Sequence, residues 1–138
     1  NGPFNNQLEE TAADGGIKFM SASKIQKEPQ GQGKFKRNFH WLGQTNSHGQ
    51  RYITRNCFFE PSDHSKDWVN SCLSDIELAF KYKKPAVISS HRVNFTGGLD
   101  KKNREFGNHQ LAILLKKITI KWPYVEFITS SELGKCLK

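Results

Sequence analysis

The stretch KPAVISSHRVNF, residues 84–95, decides how the rest of the chain reads. Pro85 marks the end of a preceding helix, because proline has no N–H to give and its ring crowds the turn before it. The run AVIS then reads as a short strand of the kind buried on both faces. It ends on Ser89, Ser90, His91 and Arg92. A strand that only holds a sheet together has no need of two hydroxyls, an imidazole and a guanidinium at its tip. A strand that feeds a binding cleft does.

Working outward from this strand, residues 65–81 read as a helix. Trp68 or Val69, Cys72 or Leu73, Ile76, and Ala79 and Phe80 recur at three- and four-residue steps and make one apolar stripe. Beyond it, VNFTGGLDKKNREFGN reads as a loop. A helix follows with Leu111, Leu114, Leu115 and Ile118 on one face, ending before Trp122 and Pro123. VEFIT, residues 125–129, reads as a strand, and SSELGKCL as a closing helix capped by Ser130 or Ser131. Toward the start, Asn6 followed three positions later by Glu9 has cap-like spacing, and Gly15-Gly16 ends that first helix. IKFM, residues 17–20, is then a short strand. Residues 21–56 are rich in Gly, Gln and Asn and read as an inserted β-hairpin with its turn near residues 46–49. Helices alternating with strands imply an α/β fold with a mostly parallel sheet, a single domain over residues 1–138, and ligands at the carboxyl ends of the strands.

Composition narrows the function classes. Of 138 residues 36% are hydrophobic and 25% charged, which is ordinary for a globular domain and unlike a disordered chain. No apolar run is long enough to cross a bilayer. The net charge of +8, from 21 Lys and Arg against 13 Asp and Glu, attracts phosphate or carboxylate polymers. A basic nucleic-acid-binding module is therefore one reading of the chain. Cys57, Cys72 and Cys136 are far apart and form no C-x-x-C pair, so neither a disulfide framework nor a zinc knuckle is implied. The chain has no H-x-x-x-H, H-E-x-x-H, P-loop or G-x-S-x-G pattern.

The residues suited to chemistry are few. His91, at a strand tip, can exchange a proton near neutral pH as general acid or base. Arg92 offers a planar fork of donors for a carboxylate or phosphate. Asn94 can donate to a ligand carbonyl, and Asn94-Phe95-Thr96 also fits a glycosylation sequon. Trp41 and Tyr52, with Phe39, interleave with Lys36, Arg37 and Arg51, a mixture that stacks on sugars or bases or else packs across strands. Glu60, Asp63, His64 and Asp67 cluster ahead of a helix, where capping competes with metal binding as their role.

GPFNNQLEETAADGGIKFM resembles the third motif region of NodB-type polysaccharide deacetylases (carbohydrate esterase family 4), with Gly2, Phe4 and Asn5 fitting its pattern. KPAVISSH resembles the fifth motif, an apolar strand ending in a histidine. WPYVEFITSSEL resembles the closing strand and helix, and Asp67-Trp68 falls near the fourth motif. The family's paired aspartates and H-x-x-x-H metal site have no counterpart here. The resemblance implies the later half of a distorted (β/α) barrel, with an upstream half of the same protein as partner. It implies hydrolysis of an acetyl group on a glycan substrate, with His91 as general acid and Arg92, Asn94, Trp41 and Tyr52 toward the substrate. It also implies a divalent metal, in that family zinc, bound by residues absent from this chain, and hence a chain inactive alone. A secreted or periplasmic location follows from the same resemblance. A non-catalytic glycan-binding domain is the other reading it leaves open.

Overall fold

Capping side chains and glycines set the element boundaries in the computed structural model, which describes residues 3–98 and 100–137. In chain order the elements are α1 (Gln7–Asp14), β1 (Phe19–Ala22), β2 (Ile25–Pro29), β3 (Phe35–Phe39), β4 (Arg51–Thr54), β5 (Cys57–Phe58), α2 (Trp68–Lys81), β6 (Ile88–Ser89), a one-turn 3-10 helix (Arg92–Phe95), α3 (Lys101–Lys121) and α4 (Ser130–Cys136). The fold is α/β. Its strands make three two-stranded sheets, β1 with β4 and β5 with β6 in parallel and β2 with β3 antiparallel, and no closed barrel forms among the described residues. Where the sequence reads as a single domain, the chain gathers into two compact units. One is drawn from residues up to Arg55 and from Ile128 onward, and the other spans residues 56–127.

In the first unit, Gly15 closes α1 and Gly16 takes a φ of 79°, the left-handed conformation that lets the chain turn into β1. β1 pairs with β4 in the register Phe19 opposite Arg51. α4 packs on both strands. Its Gly134 allows this approach, since a Cβ there would overlap the Phe19 ring. α4 starts at a reciprocal capping box: Glu132 N donates to Thr129 Oγ1, and Thr129 N donates to Glu132 Oε2. Ala22, Tyr52, Ile53 and Leu133 supply the buried apolar groups.

In the second unit, α2 and α3 pack on each other and α2 packs on β5. Cys57, Phe59, Val69, Cys72, Ile76, Leu114 and Ile118 form the buried core. Asp67 caps α2 by accepting from Asn70 N, and the helix stops ahead of Pro85 as Lys83 turns at a φ of 54°. Cys72 sits at the core-facing position that its place in the α2 stripe implies, and burial pushes its thiol up to about 12.

Several local expectations are corrected. The hairpin is β2–β3 and turns over residues 30–34, where Gly31 and Gly33 both have positive φ. The turn expected at residues 46–49 exists, held by the Asn46 side chain accepting from His48 N and Gln50 N, but it leads into β4. Tyr52 therefore lies in a parallel strand and not in a hairpin arm. Residues 125–129 form no strand: Thr129 is spent on capping α4, ahead of the expected Ser130 or Ser131. The loop read over residues 93–108 is largely helical. Asp100 accepts from Lys102 N and so starts α3 at Lys101.

Candidate functional site

The β5–β6 pair places its chemistry by register alone. Cys57 lies opposite Ile88 and Phe58 opposite Ser89, and Phe59 N continues the ladder onto the Ser89 carbonyl at 2.9 Å. The next rung brings Glu60 beside His91 at the carboxyl ends of two parallel strands. The His91 ring nitrogen Nδ1 lies 2.8 Å from Glu60 Oε1, and His91 N donates to Glu60 Oε2 at 3.2 Å. The imidazole is 70% exposed and Glu60 18%. With Nδ1 committed to the carboxylate, Nε2 is left toward solvent and makes no hydrogen bond among the described residues. A ring held this way can give or take a proton at Nε2.

Asn94 fixes the carboxylate from behind. The 3-10 helix folds it back under the strand ends, where it is fully buried. Its amide nitrogen shares two hydrogens among Glu60 Oε2 at 2.7 Å, the His91 carbonyl at 2.8 Å and Ser90 Oγ at 3.0 Å. Its oxygen accepts from the backbone N–H of Ser62 at 3.0 Å and the hydroxyl of Ser62 at 2.6 Å. The Glu60 and Ser90 loops are thereby tied together. α3 approaches this loop so closely that a Cβ on Gly107 would overlap the Asn94 carbonyl.

The other expected site residues are not all gathered here. Asn94 belongs to the cluster, but as a buried support and not as an exposed donor. Arg92 is exposed at the start of the 3-10 helix, next to His91 in sequence. Trp41 and Tyr52 belong to the first unit. Trp41 is exposed after β3, whereas Tyr52 is buried, donates its hydroxyl to Glu9 and stacks on His40 with ring centroids 3.9 Å apart. Burial, then the Glu9 carboxylate, holds the Tyr52 phenol well above its ordinary value.

The acidic cluster ahead of α2 divides by role. Asp67 caps the helix, Asp63 holds Ser65 through its N–H and hydroxyl, and His64 packs edge-on against Phe106. Lys66 lies over the Trp68 ring at 4.0 Å. Asp63, His64, Lys66 and Trp68 help line a cavity of 370 Å³. In the first unit, a cavity of 660 Å³ is walled by Phe4, Leu8, Met20, Ile25 and Tyr52 among others. No three of His, Cys, Asp and Glu come together to hold a metal among the described residues.

The sequence placed Glu60 in the acidic cluster ahead of α2 and did not single it out as the partner of His91. Its signal was the parallel run CFFE beside VISSH: equal offsets from two short strands put Glu60 and His91 on the same rung. Comparison of the chain with protein-family models, with curated proteins and with solved structures finds no match.

Proposed function

We propose that the protein is a polysaccharide deacetylase-like hydrolase acting on acetylated glycans, with His91 as the proton donor to the leaving group. The observation that carries this reading is the pair formed by the exposed His91 ring and the Glu60 carboxylate at the ends of two parallel strands. Water adds to the acetyl carbonyl, the bond from that carbon to the sugar nitrogen or oxygen breaks, and acetate leaves. The departing amine or alkoxide takes the proton from Nε2 of the protonated His91 ring, which keeps its Nδ1 hydrogen toward Glu60, and the protons that the attacking water gives up pass to solvent and back to the ring. Glu60 is a positioning residue: it holds the tautomer and the direction of the ring. Asn94 holds Glu60. Arg92, exposed beside His91, is placed to meet a substrate carboxylate or hydroxyl.

The family resemblance supports the same reading and implies its finer fold, the later half of a distorted (β/α) barrel with an inserted hairpin. It also implies a divalent metal. The described residues offer no donor set for one, so no step is assigned to it, and these residues account for the leaving-group side of the reaction only. The test is acetate release from acetylated oligosaccharides by the full-length protein. His91→Ala is expected to reduce turnover by roughly 100- to 10,000-fold. Turnover that survives the substitution would remove the catalytic role, and glycan binding without any acetate release would make the protein a non-catalytic binder.

A further inference from the structure

The β2–β3 hairpin is turned inside out with respect to the usual rule. Alternation along paired strands puts Ile25, Lys27 and Pro29 on one face with Phe39, Arg37 and Phe35 directly opposite them. All six are exposed, Ile25 at 45%, Phe35 at 49% and Phe39 at 56%. The opposite face carries the polar residues, and that is the face held to the protein. Gln26 is buried, donates to the Phe4 carbonyl and to Asn6 Oδ1, and lies 2.6 Å from His40 Nε2. Glu28 accepts from Asn38 at 2.9 Å and is 3.9 Å from Lys36. A one-residue slip would bury the apolar face, and these hydrogen bonds hold the register against it.

The outward face therefore has three rows: Ile25 with Phe39, then Lys27 with Arg37, then Pro29 with Phe35. Successive rows are about 7 Å apart. Like charges directly opposite each other destabilise a strand pair, and neither Lys27 nor Arg37 makes an ion pair among the described residues. A cationic row without a counter-ion, set between two flat apolar rows, is complementary to a linear ligand with an anionic group between two apolar ring faces. We propose that this face binds an acidic glycan chain. A uronate carboxylate is held by Lys27 and Arg37, and sugar rings on either side lie over Phe35 and Phe39.

Other occupants fit the pattern less well. A second copy related by a two-fold axis would bring the cationic row against itself. A membrane surface would be met by the hairpin tip, and residues 30–34 are Gln, Gly, Gln, Gly and Lys, with no apolar side chain to insert. Single-stranded nucleic acid calls for a continuous basic track along its backbone, and this face has one basic row. None of the six residues takes part in the acetyl chemistry, so the inference stands or falls apart from it.

The experiment titrates the full chain with oligogalacturonate and with the methyl ester of the same oligomer, by calorimetry and by the fluorescence of the protein's tryptophans. The acid form is expected to bind and the neutral ester to bind at least about tenfold more weakly. Lys27→Gln/Arg37→Gln and Phe35→Ser/Phe39→Ser are each expected to weaken binding of the acid by about tenfold or more, with the circular dichroism spectrum unchanged. Lys36→Gln, on the opposite face, leaves it unaltered. Equal binding of acid and ester, or loss with the charge variant but not the phenylalanine variant, would overturn the proposal. So would phosphatidylserine vesicles, oligo-dT or self-association depending on the same residues while the glycan does not bind.

Discussion

The pairing of His91 with Glu60 depends on groups that do no chemistry themselves. Asn94 is buried with all of its polar capacity engaged, so Asn94→Ala takes a hydrogen bond each from Glu60, Ser90 and the His91 carbonyl and two from Ser62, at half-buried positions. Unfilled buried hydrogen-bonding groups cost about 1–3 kcal/mol each. Asn94→Ala is therefore expected to lower the denaturant midpoint by an amount worth about 2–4 kcal/mol, whereas Arg92→Ala, on the surface, leaves it nearly unchanged. His40 gives a second, pH-dependent outcome. Burial is the main cause holding its imidazole below the ordinary 6.5, against an opposing pull from Glu9, and its Nδ1 is buried without a partner. Above pH 6.5 the ring is neutral in folded and unfolded chains alike. As pH falls below 6.5 the unfolded chain takes the proton first, so stability declines until the lowered folded value is passed. Thermal unfolding between pH 7.5 and 5 should show that decline, and His40→Gln should reduce it. The sequence made His91 legible because a strand tip is a local feature. Glu60 was not legible as its partner, since that relation rests on a parallel register between residues 31 positions apart.

Helices and strands were read well where one apolar stripe decided the matter. α2 is the clearest case, with Val69, Cys72, Ile76 and Ala79 buried in the order that the three- and four-residue steps require. Reading failed where backbone conformation outranked side-chain pattern. Two glycines in QGQGK turned the hairpin sixteen residues earlier than the Asn46-containing turn, counting from Gln30, and the β-rich run at residues 125–129 lost to a capping box. Gly107 is another such place. A mid-helix glycine costs about 1 kcal/mol relative to alanine, so local propensity favours Gly107→Ala. The overlap of the new Cβ with the Asn94 carbonyl opposes it. The net expectation is a destabilised protein with the His91 resonances displaced. A variant more stable than the parent would show that α3 does not press on the 3-10 helix.

Taken whole, the chain carries +8 on 138 residues, with helices and strands in two compact units. Its three thiols report on how completely each unit is packed. Cys57 and Cys72 are buried in the second unit and Cys136 is exposed at the end of α4. One equivalent of thiol should therefore react with a soluble disulfide reagent in native buffer and three in denaturant. Two fast equivalents would mean that the core around Phe59 and Ile76 is open. The strands themselves show no barrel among the described residues: each sheet has only two, and β5 and β6 are two residues long.

The pairing of His91 with Glu60 can be observed without substrate. Long-range proton–nitrogen correlation spectra of the imidazole groups distinguish which ring nitrogen bears the proton. In its neutral form, the His91 ring should carry its hydrogen on Nδ1, directed at Glu60, with Nε2 bare and open to solvent. A His91 ring found with the hydrogen on Nε2, and indifferent to Glu60→Ala, would contradict the assignment of these two residues to one site.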